Sequence, residues 1–300
     1  MLRSMYSGVT GMKSQQTKMD VIANNIANSS TTGFKSGRVR FGDMISQTVA
    51  NAQGATPNRG GVNAQQVGLG VQVSGIDTIM TGGSLQATGR GLDFGIQNGD
   101  NSFFIVSPSG ETGDNEQFTR DGGFYTDASG ALVTSSGMHV LGKTASPAIN
   151  MSDKKPAVIE ITNNDDLKKI VISKTHPTAG NNAELQSFNI DQAGNVIATY
   201  GNGDTFKLGR VALATFDNPD GLEKAGGNLY NASASSGTPQ QGGPENDGFG
   251  EIRSGFLEMS NVDLANEFTE MIVTSRAYQA NSRSITTSDE MLQELLSLKR

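Results

Sequence analysis

The sequence contains no cysteine and no tryptophan, and only two of its 300 residues, His139 and His176, are histidine. The missing thiols exclude disulfide bonds, thiolate catalysis and zinc sites with cysteine ligands. Two histidines far apart in the sequence offer little for acid–base catalysis or for a metal centre. The composition therefore predicts that the protein is not an enzyme, with no catalytic residue, no cofactor and no metal ion.

Aromatic residues are also scarce, at 6% of the chain, whereas glycine supplies 38 residues and the formal net charge is −7. A glycine-rich, polar chain of this kind forms many turns and has a thin apolar core for its length. An excess of acidic residues disfavours nucleic-acid binding, which usually requires a basic surface. We therefore expect a turn-rich protein that binds no nucleic acid.

Long apolar runs are missing as well. The first nine residues contain no continuous apolar segment of the kind found in cleaved secretory signals. Nowhere do 18 apolar residues follow one another, so no membrane span and no contact with lipid are expected. Taken alone, these absences predict a cytoplasmic protein, but export by a route without signal cleavage gives the same pattern.

The N-terminal residues form an apolar seam. Its positions are separated by alternating steps of three and four residues, which predicts a helix with a heptad-type seam that ends near residues 29–33. Gly8 and Gly11 weaken this helix by about 1 kcal/mol each relative to alanine. The seam residues expected to mediate self-assembly are Leu2, Met5, Val9, Met12, Met19 and Ile26.

The C-terminal residues repeat this pattern in steps of four and three. Ser260 or Asn261 would cap the helix, and the acidic Asp263 and Glu267 suit its N-terminal dipole. Polar residues interrupt the seam, so the helix is expected to be marginal in isolation. The seam residues expected to mediate self-assembly at this end are Leu264, Phe268, Met271, Tyr278, Ile285 and Leu292.

The two ends carry opposite net charges, +5 for residues 1–40 and −3 for residues 256–300. Two imperfect seams of opposite charge predict that the terminal helices pair with each other. The alternative is that both helices simply pack on one globular core. Ser275 and Ser282 at seam positions favour packing in a shared assembly, with helices that become ordered when a partner arrives.

Between the helices, short apolar runs such as residues 103–106 alternate with turn sequences. Successive hairpins of this kind predict a mainly antiparallel β domain. The expected fold class is α+β, with N- and C-terminal helices pairing as a coiled coil and a mainly antiparallel β domain. We predict a discontinuous helical assembly domain of residues 1–34 and 258–300, and a β-rich outer domain of residues 35–257.

Three short motifs resemble ligand sites only superficially. Residues 68–70 lack the third glycine of a dinucleotide-binding fingerprint, and no strand–helix unit surrounds them. Residues 88–91 resemble an anion-binding loop by composition alone, so a turn is the better interpretation. Residues 163–166 are rich in asparagine and aspartate, but no ordered set of calcium ligands follows them. We expect neither these motifs nor the two histidines to bind a ligand.

Several segments together resemble one family. The run Met19-Asp-Val-Ile-Ala-Asn-Asn-Ile-Ala-Asn28, followed by Thr32-Gly-Phe-Lys35, resembles the N-terminal signature of bacterial flagellar rod and hook proteins. Further blocks follow in the family's order: Thr88-Gly-Arg-Gly-Leu-Asp-Phe-Gly-Ile96, Phe103-Phe104, Phe118-Thr-Arg-Asp-Gly-Gly-Phe124, Gly221-Leu222, Gly227-Asn-Leu-Tyr230, and the stretch from Gly255 to Asn281. The C-terminal block, with Ser260-Asn-Val-Asp-Leu264 and Arg276-Ala-Tyr278, is the most distinctive.

Within the family, Ser36-Gly37, Phe41-Gly-Asp-Met44 and the run from Thr88 to Ile96 are more similar to hook proteins than to distal rod proteins. Between Thr144 and Gln186 the chain is shorter than hook proteins that carry an extra outer β domain, so it resembles a short form. The resemblance implies a structural subunit of the hook, which self-assembles into a tubular universal joint and transmits torque from rod to filament. A distal rod protein is the first alternative.

A secreted surface- or carbohydrate-binding β module with helical arms is the alternative from another class. The resemblance to flagellar rod and hook proteins implies protein partners. They are further copies of the chain in a helical homopolymer, the distal rod protein, the hook cap protein, the hook–filament junction protein and the flagellar export apparatus. It also implies export without a cleaved signal peptide, in a wholly or partly unfolded state, to an extracellular position in the hook and basal body.

Overall fold

The structure is a computed structural model, and its chain forms two compact units. It describes residues 2–55, 57, 59–113, 115–151, 159–162, 166–175 and 183–298. The first unit contains Met1–Ala27, Gly37–Ile79 and Val262–Arg300, and the second contains Asn28–Ser36 and Met80–Asn261. His176 and residues 163–165, which were considered above, lie outside the described residues.

Two long helices belong to the first unit, α1 at Leu2–Ala27 and α2 at Leu264–Ser297. The residue that caps α2 is Asp263, not Ser260 or Asn261, because its extended backbone turns its carboxylate back onto the helix. The Oδ1 atom of Asp263 accepts hydrogen bonds from the backbone N–H groups of Ala265, at 2.9 Å, and Asn266, at 3.4 Å. Among the described residues, no helix combines the length and apolar character that a membrane crossing requires.

The two helices pair in an antiparallel arrangement. Near one end of the pair, Oγ of Ser4 lies 3.3 Å from Oγ of Ser288. Towards the other end, Lys18 forms an ion pair with Glu270. Residue numbers therefore rise along α1 as they fall along α2, and the predicted pairing of the terminal helices is confirmed.

The first unit also contains four strands: β1 at Gly37–Asp43, β2 at Gln47–Ala50, β3 at Gln65–Val67 and β4 at Val71–Thr78. Strand β1 pairs with β4, and β2 pairs with β3, both in antiparallel register. The structure thus groups residues 37–79 with the helices, whereas the sequence-based division assigned them to the β-rich domain. Whether residues 1–34 and 258–300 act as a separate assembly domain stays a prediction.

The second unit is built of short strands. They are β5 at Leu85–Ala87, β6 at Phe94–Gln97, β7 at Ser102–Ser107, β8 at Gln117–Thr119, β9 at Tyr125–Thr126, β10 at Leu132–Val133, β11 at His139–Asn150, β12 at Lys168–Lys169, β13 at Leu185–Ile190, β14 at Asn195–Tyr200, β15 at Thr205–Val211, β16 at Leu213–Thr215, β17 at Glu223–Gly226, β18 at Leu229–Asn231, β19 at Gln240–Gly242, β20 at Glu251–Ser254 and β21 at Phe256–Glu258. A 3₁₀ turn, Pro219–Gly221, precedes β17.

The largest sheet of the second unit follows the order β13-β14-β15-β11-β7-β8-β18-β17. Strands β16 and β7 also pair, and the pairs β6–β20 and β5–β21 form two smaller sheets. Pairings between the described strands are antiparallel, which confirms the α+β fold class. Only some are local hairpins, such as β13–β14–β15, since β7 pairs with strands far along the chain.

Strand β7 is buried on both faces, which explains its continuous apolar sequence. Phe104 packs edge-on against Phe124, with ring centroids 5.2 Å apart. The adjacent Phe103 points to the opposite face, where it packs edge-on against Phe216 at 5.8 Å. The second unit therefore has two apolar clusters, one on each side of β7.

Candidate self-assembly surface

Small residues form the face through which α1 contacts α2. A Cβ atom added to Gly8 would lie 2.9 Å from Cγ1 of Ile285, and one added to Gly11 would lie 2.8 Å from Nδ2 of Asn281. Ser14, on the same side of α1, is buried as well. The glycines that weaken the isolated helix therefore allow the two backbones to approach closely in the pair.

A buried asparagine fixes one end of the helix pair. Asn25 is 2% exposed, and its Nδ2 atom donates to the backbone oxygen of Gly37, at 2.8 Å, and to Oε1 of Glu267, at 3.0 Å. Its Oδ1 atom accepts a hydrogen bond from the backbone N–H of Gly37, at 2.9 Å. One side chain thus joins α1, α2 and the start of β1.

The carboxyl group of Glu267 has a raised pKa. Burial raises the pKa of Glu267 above its ordinary value of 4.5, and the charges of Glu270 and Asp263 act in the same direction. The hydrogen bond from Asn25 and the charge of Lys18 oppose this rise. The net effect is that the folded helix pair favours the protonated form of Glu267.

We expect Glu267 to make the first unit less stable as the pH rises. Its carboxyl group titrates near pH 4.5 in the unfolded chain and at a higher pH in the folded one. The folded state therefore holds the proton more tightly, and this stabilisation is full below pH 4.5 and is lost as the pH rises through the folded pKa. Urea unfolding of the wild type and of Glu267→Gln, followed by helical circular dichroism between about pH 4 and about pH 7, measures the effect.

The glutamine variant is the matched control because it keeps an oxygen to accept the bond from Asn25 but does not titrate. The free energy of unfolding of the wild type, relative to that of Glu267→Gln, should fall as the pH rises. Equal pH dependences of the two proteins would contradict the assignment.

The predicted seam of α1 lies one residue away from its pairing face. Positions 8, 11, 18 and 25 contact α2 or approach it closely, whereas the prediction named positions 9, 12, 19 and 26. One residue corresponds to a rotation of about 100° around the helix. Leu2 begins α1, but its side chain lies outside the described residues; the other predicted residues are Val9, which is exposed, and Met5, Met12, Met19 and Ile26, which are half-buried.

The predicted residues of α2 fall into two groups. Met271, Ile285 and Leu292 are half-buried and share the face that includes the buried Thr274 and Ser288. The other three, Leu264, Phe268 and Tyr278, are exposed. The two groups differ in exposure rather than in helical position, since Leu264 and Tyr278 lie seven residues from Met271 and share its stripe along α2.

Three exposed apolar residues follow one another at four-residue steps along one side of α2. Leu264, Phe268 and Ile272 are 43%, 51% and 62% exposed, and we refer to them as the α2 ridge. Sequence reasoning identified the first two and missed Ile272. A continuous exposed apolar strip of this kind is a candidate interaction surface, because single scattered apolar residues are the norm on monomer surfaces.

Two of the three motifs that resembled ligand sites, residues 68–70 and 88–91, lie among the described residues. Residues 68–70 connect β3 to β4. Arg90 of the 88–91 motif forms an ion pair with Asp93, at 3.0 Å, and donates to the backbone oxygen of Phe124, at 2.8 Å. His139 begins β11. Within the part of the chain that the structure describes, no group of three or more histidine, cysteine, aspartate or glutamate side chains is placed to hold a metal ion.

An α+β chain with paired terminal helices and an exposed apolar ridge has the construction of a protein that associates through its ends. Three family models match it. The model described as "Flagella basal body rod protein" matches residues 5–35. "Flagellar hook protein FlgE/F/G D1 domain" matches residues 98–198. "Flagellar basal body rod FlgEFG protein C-terminal" matches residues 253–298.

Full-length relatives carry the same names. The chain is 48% identical over 301 residues to the flagellar basal-body rod protein FlgG of Bacillus subtilis, with all of both chains covered. It is 37% identical over 295 residues to the FlgG of Agrobacterium fabrum, with 97% of each chain covered. It is 31% identical over 447 residues to the flagellar hook protein FlgE of Borreliella burgdorferi, again with all of both chains covered. The chain therefore belongs to the flagellar hook and rod family, whose members are structural components of the basal body and hook.

Proposed function

We propose that the chain is a structural subunit of the bacterial flagellar rod that self-assembles through its terminal helices. The alignment with the Bacillus subtilis rod protein extends over 301 residues, almost the length of this chain. The alignment with the Borreliella hook protein needs 447 positions to cover both chains. A rod protein thus accounts for the whole chain without a long insertion, which supports the rod over the hook that the sequence motifs favoured.

The hook subunit is the second candidate. The residues that favour it are the 36–44 and 88–96 segments, whose sequences resemble those of hook proteins. A short hook protein without the extra outer β domain would have the same two units. In either case the role is structural rather than catalytic.

The α2 ridge is the observation that carries the proposal. Each large apolar side chain that moves from water into a packed interface contributes about 1.5–3 kcal/mol. Leu264, Phe268 and Ile272 are 43%, 51% and 62% exposed, so about half of this free energy is still available for association with a second copy of the chain. We propose that these residues, with Val9 and Tyr278, contact neighbouring copies.

The other predicted assembly residues have a different role in this proposal. Met271, Ile285 and Leu292 hold α2 against α1, and the half-buried residues of α1 complete the surface presented to neighbours. The helix-containing unit then forms the inner part of the tube, and the β-rich unit forms its outer layer. Terminal helices that are expected to be marginal in isolation suit a chain that becomes ordered on assembly.

The proposed partners follow from the same role. They are further copies of the chain, the adjoining rod, hook, cap and junction proteins, and the flagellar export apparatus, which would pass the chain out of the cell without signal cleavage. A secreted β module that binds carbohydrate would need an exposed aromatic cluster, and the sequence has no tryptophan and only five tyrosines.

Electron cryo-tomography of cells that lack the gene tests the proposal, with a plasmid-borne copy as the control. We expect basal bodies whose rod stops short, because a rod subunit is needed before the hook can begin. A complete rod without a hook would instead assign the chain to the hook. Intact hooks and filaments would overturn both assignments.

A further inference from the structure

Two buried cations share one buried carboxylate in the second unit. The side chains of Lys35, Arg120 and Glu258 are 0%, 1% and 1% exposed. Nζ of Lys35 lies 2.6 Å from Oε1 of Glu258, and Nη1 of Arg120 lies 3.1 Å from Oε2. Charged side chains are almost never fully buried unless they are paired. Burying these three therefore costs desolvation free energy, which their ion pairs and hydrogen bonds must offset.

Backbone groups complete the cluster. Lys35 also donates to the backbone oxygen of Thr81, at 2.8 Å, and Oε1 of Glu258 accepts a bond from the backbone N–H of Gly83, at 2.9 Å. Arg120 donates to two further backbone oxygens, those of Gly99 and Asp100. Burial lowers the pKa of Lys35 and the pKa of Arg120, and the charge of Glu258 opposes both changes.

Two members of the cluster, Lys35 and Glu258, lie in segments of the second unit that adjoin points where the chain enters or leaves that unit. The chain passes from one unit to the other after residues 27, 36, 79 and 261. We call the adjoining segments of the second unit, residues 28–36, 80–84 and 258–261, the connectors. Each connector supplies a different group to the bonds around Glu258: an ammonium from the first, a backbone oxygen and an N–H from the second, and the carboxylate itself from the third.

Further hydrogen bonds join the connectors to one another. The backbone N–H of Gly33 donates to the backbone oxygen of Glu258, at 2.8 Å. Oδ1 of Asn261 accepts a bond from the backbone N–H of Ser36, at 2.8 Å, and its Nδ2 donates to the backbone oxygen of Thr81, at 3.2 Å. The three connectors therefore form one hydrogen-bonded network around Glu258, in which Nε of Arg120 is the one buried donor of the three charged side chains that has no partner among the described residues.

We propose that Lys35, Arg120 and Glu258 form a clasp that makes the order of the three connectors interdependent. Removing Glu258 leaves two buried cations without their carboxylate, and removing Lys35 breaks the link between Glu258 and the backbone oxygen of Thr81, so in either case the connectors open to water together. Neither apolar cluster of the second unit contains Lys35, Arg120 or Glu258, so the large sheet stays folded when the clasp opens. The proposal concerns the folded chain by itself and holds whether that chain builds a rod or a hook.

Hydrogen–deuterium exchange of the full chain tests the clasp with Glu258→Gln, which keeps the shape of the side chain and removes its charge. We expect the amides of Gly33, Gly83 and Met259 to exchange at least about tenfold faster, while those of β14 keep their wild-type rates. The matched control is Arg40→Gln, in the other unit. It breaks an ion pair in which Nε of the exposed Arg40 lies 2.8 Å from Oδ2 of Asp77. It should leave the connector amides unchanged.

Two results would overturn the proposal. Unchanged connector amides would mean that the cluster holds nothing in place, and an equal acceleration in β14 would mean that it belongs to the global core. If Glu258→Gln fails to fold, Lys35→Met provides the second test, since it leaves the pair of Arg120 and Glu258 intact. Faster exchange in residues 80–84 as well as 28–36 supports interdependence, whereas faster exchange in 28–36 alone refutes it.

Discussion

Phe268→Asp is expected to abolish self-assembly while leaving the chain folded. Phe268 is half exposed in the middle of the α2 ridge, between Leu264 and Ile272. A carboxylate at this position stays solvated in the single chain but would have to lose its water in a packed interface, at a cost of several kcal/mol. Met271→Asp is a poorer choice because Met271 is half-buried on the face that meets α1.

Complementation of a deletion strain measures this effect through motility in soft agar and through the basal bodies seen by electron microscopy. Thr269→Asp is the matched control, because Thr269 is the next residue, is exposed and lies about 100° from Phe268 around the helix. Both purified variants should have the helical circular dichroism of the wild type. Normal basal bodies and motility with Phe268→Asp would exclude the ridge from assembly.

Gly122→Ala is expected to destabilise the second unit severely. A Cβ atom at this position would lie 2.8 Å from the backbone carbonyl carbon of Phe94 and closer still to its oxygen. The two segments are held together because the backbone N–H of Phe94 donates to the backbone oxygen of Gly122, at 3.0 Å. Backbone atoms cannot move aside as the end of a flexible side chain can, and Phe94 lies in the apolar cluster.

Overpacking of a buried site costs about 1–3 kcal/mol or more, and we expect about 3 kcal/mol here, measured by urea unfolding. Gly123→Ala is the control, since the nearest atom to its Cβ would be Oδ1 of Asp121 at 3.5 Å, an ordinary contact. That variant should be neutral or more stable by less than about 1 kcal/mol, because alanine restricts the unfolded chain. Similar losses in both variants would show that the close approach to Phe94 is not the cause.

The strands were predictable where burial follows a simple pattern. Residues 103–106 form an unbroken apolar run because β7 is covered on both faces, and the run therefore identified the strand. The turn at Asp191 was also predictable, and there Oδ1 of Asp191 accepts a bond from the backbone N–H of Asn195, at 2.9 Å. The pairing of β7 with β16 could not be predicted, because the residues near each strand do not indicate which distant strand it pairs with.

The helices were predicted, but the face of α1 that meets α2 was not. The apolar pattern of α1 predicts a pairing face that includes Met12 and Met19. The close approach of the two helices occurs instead at Gly8 and Gly11. In a chain that associates, apolar residues are divided between the surface that holds the fold and the surface that meets other copies. A hydrophobic pattern does not distinguish these two surfaces, and this explains the offset of one residue.

The buried charges were beyond sequence reasoning for a different reason. Lys35 stands at the end of a family motif whose sequence gives no sign of burial. Its partner Glu258 lies 223 residues further along the chain. Lysine and glutamate are mostly exposed in proteins, so the usual expectation for both is a solvated surface. Nothing in the neighbouring residues indicates otherwise.

The bond between Lys35 and Thr81 has a consequence for length variation. Because Nζ of Lys35 lies 2.8 Å from the backbone oxygen of Thr81, the stretch from 37 to 79 leaves the second unit and returns to it at one point. Doubling the length of a flexible loop costs only about 0.6 kcal/mol of closure entropy. We therefore expect residues inserted or deleted between β2 and β3 to leave the contacts of the second unit in place, so that the size of this stretch can change independently of the β-rich unit.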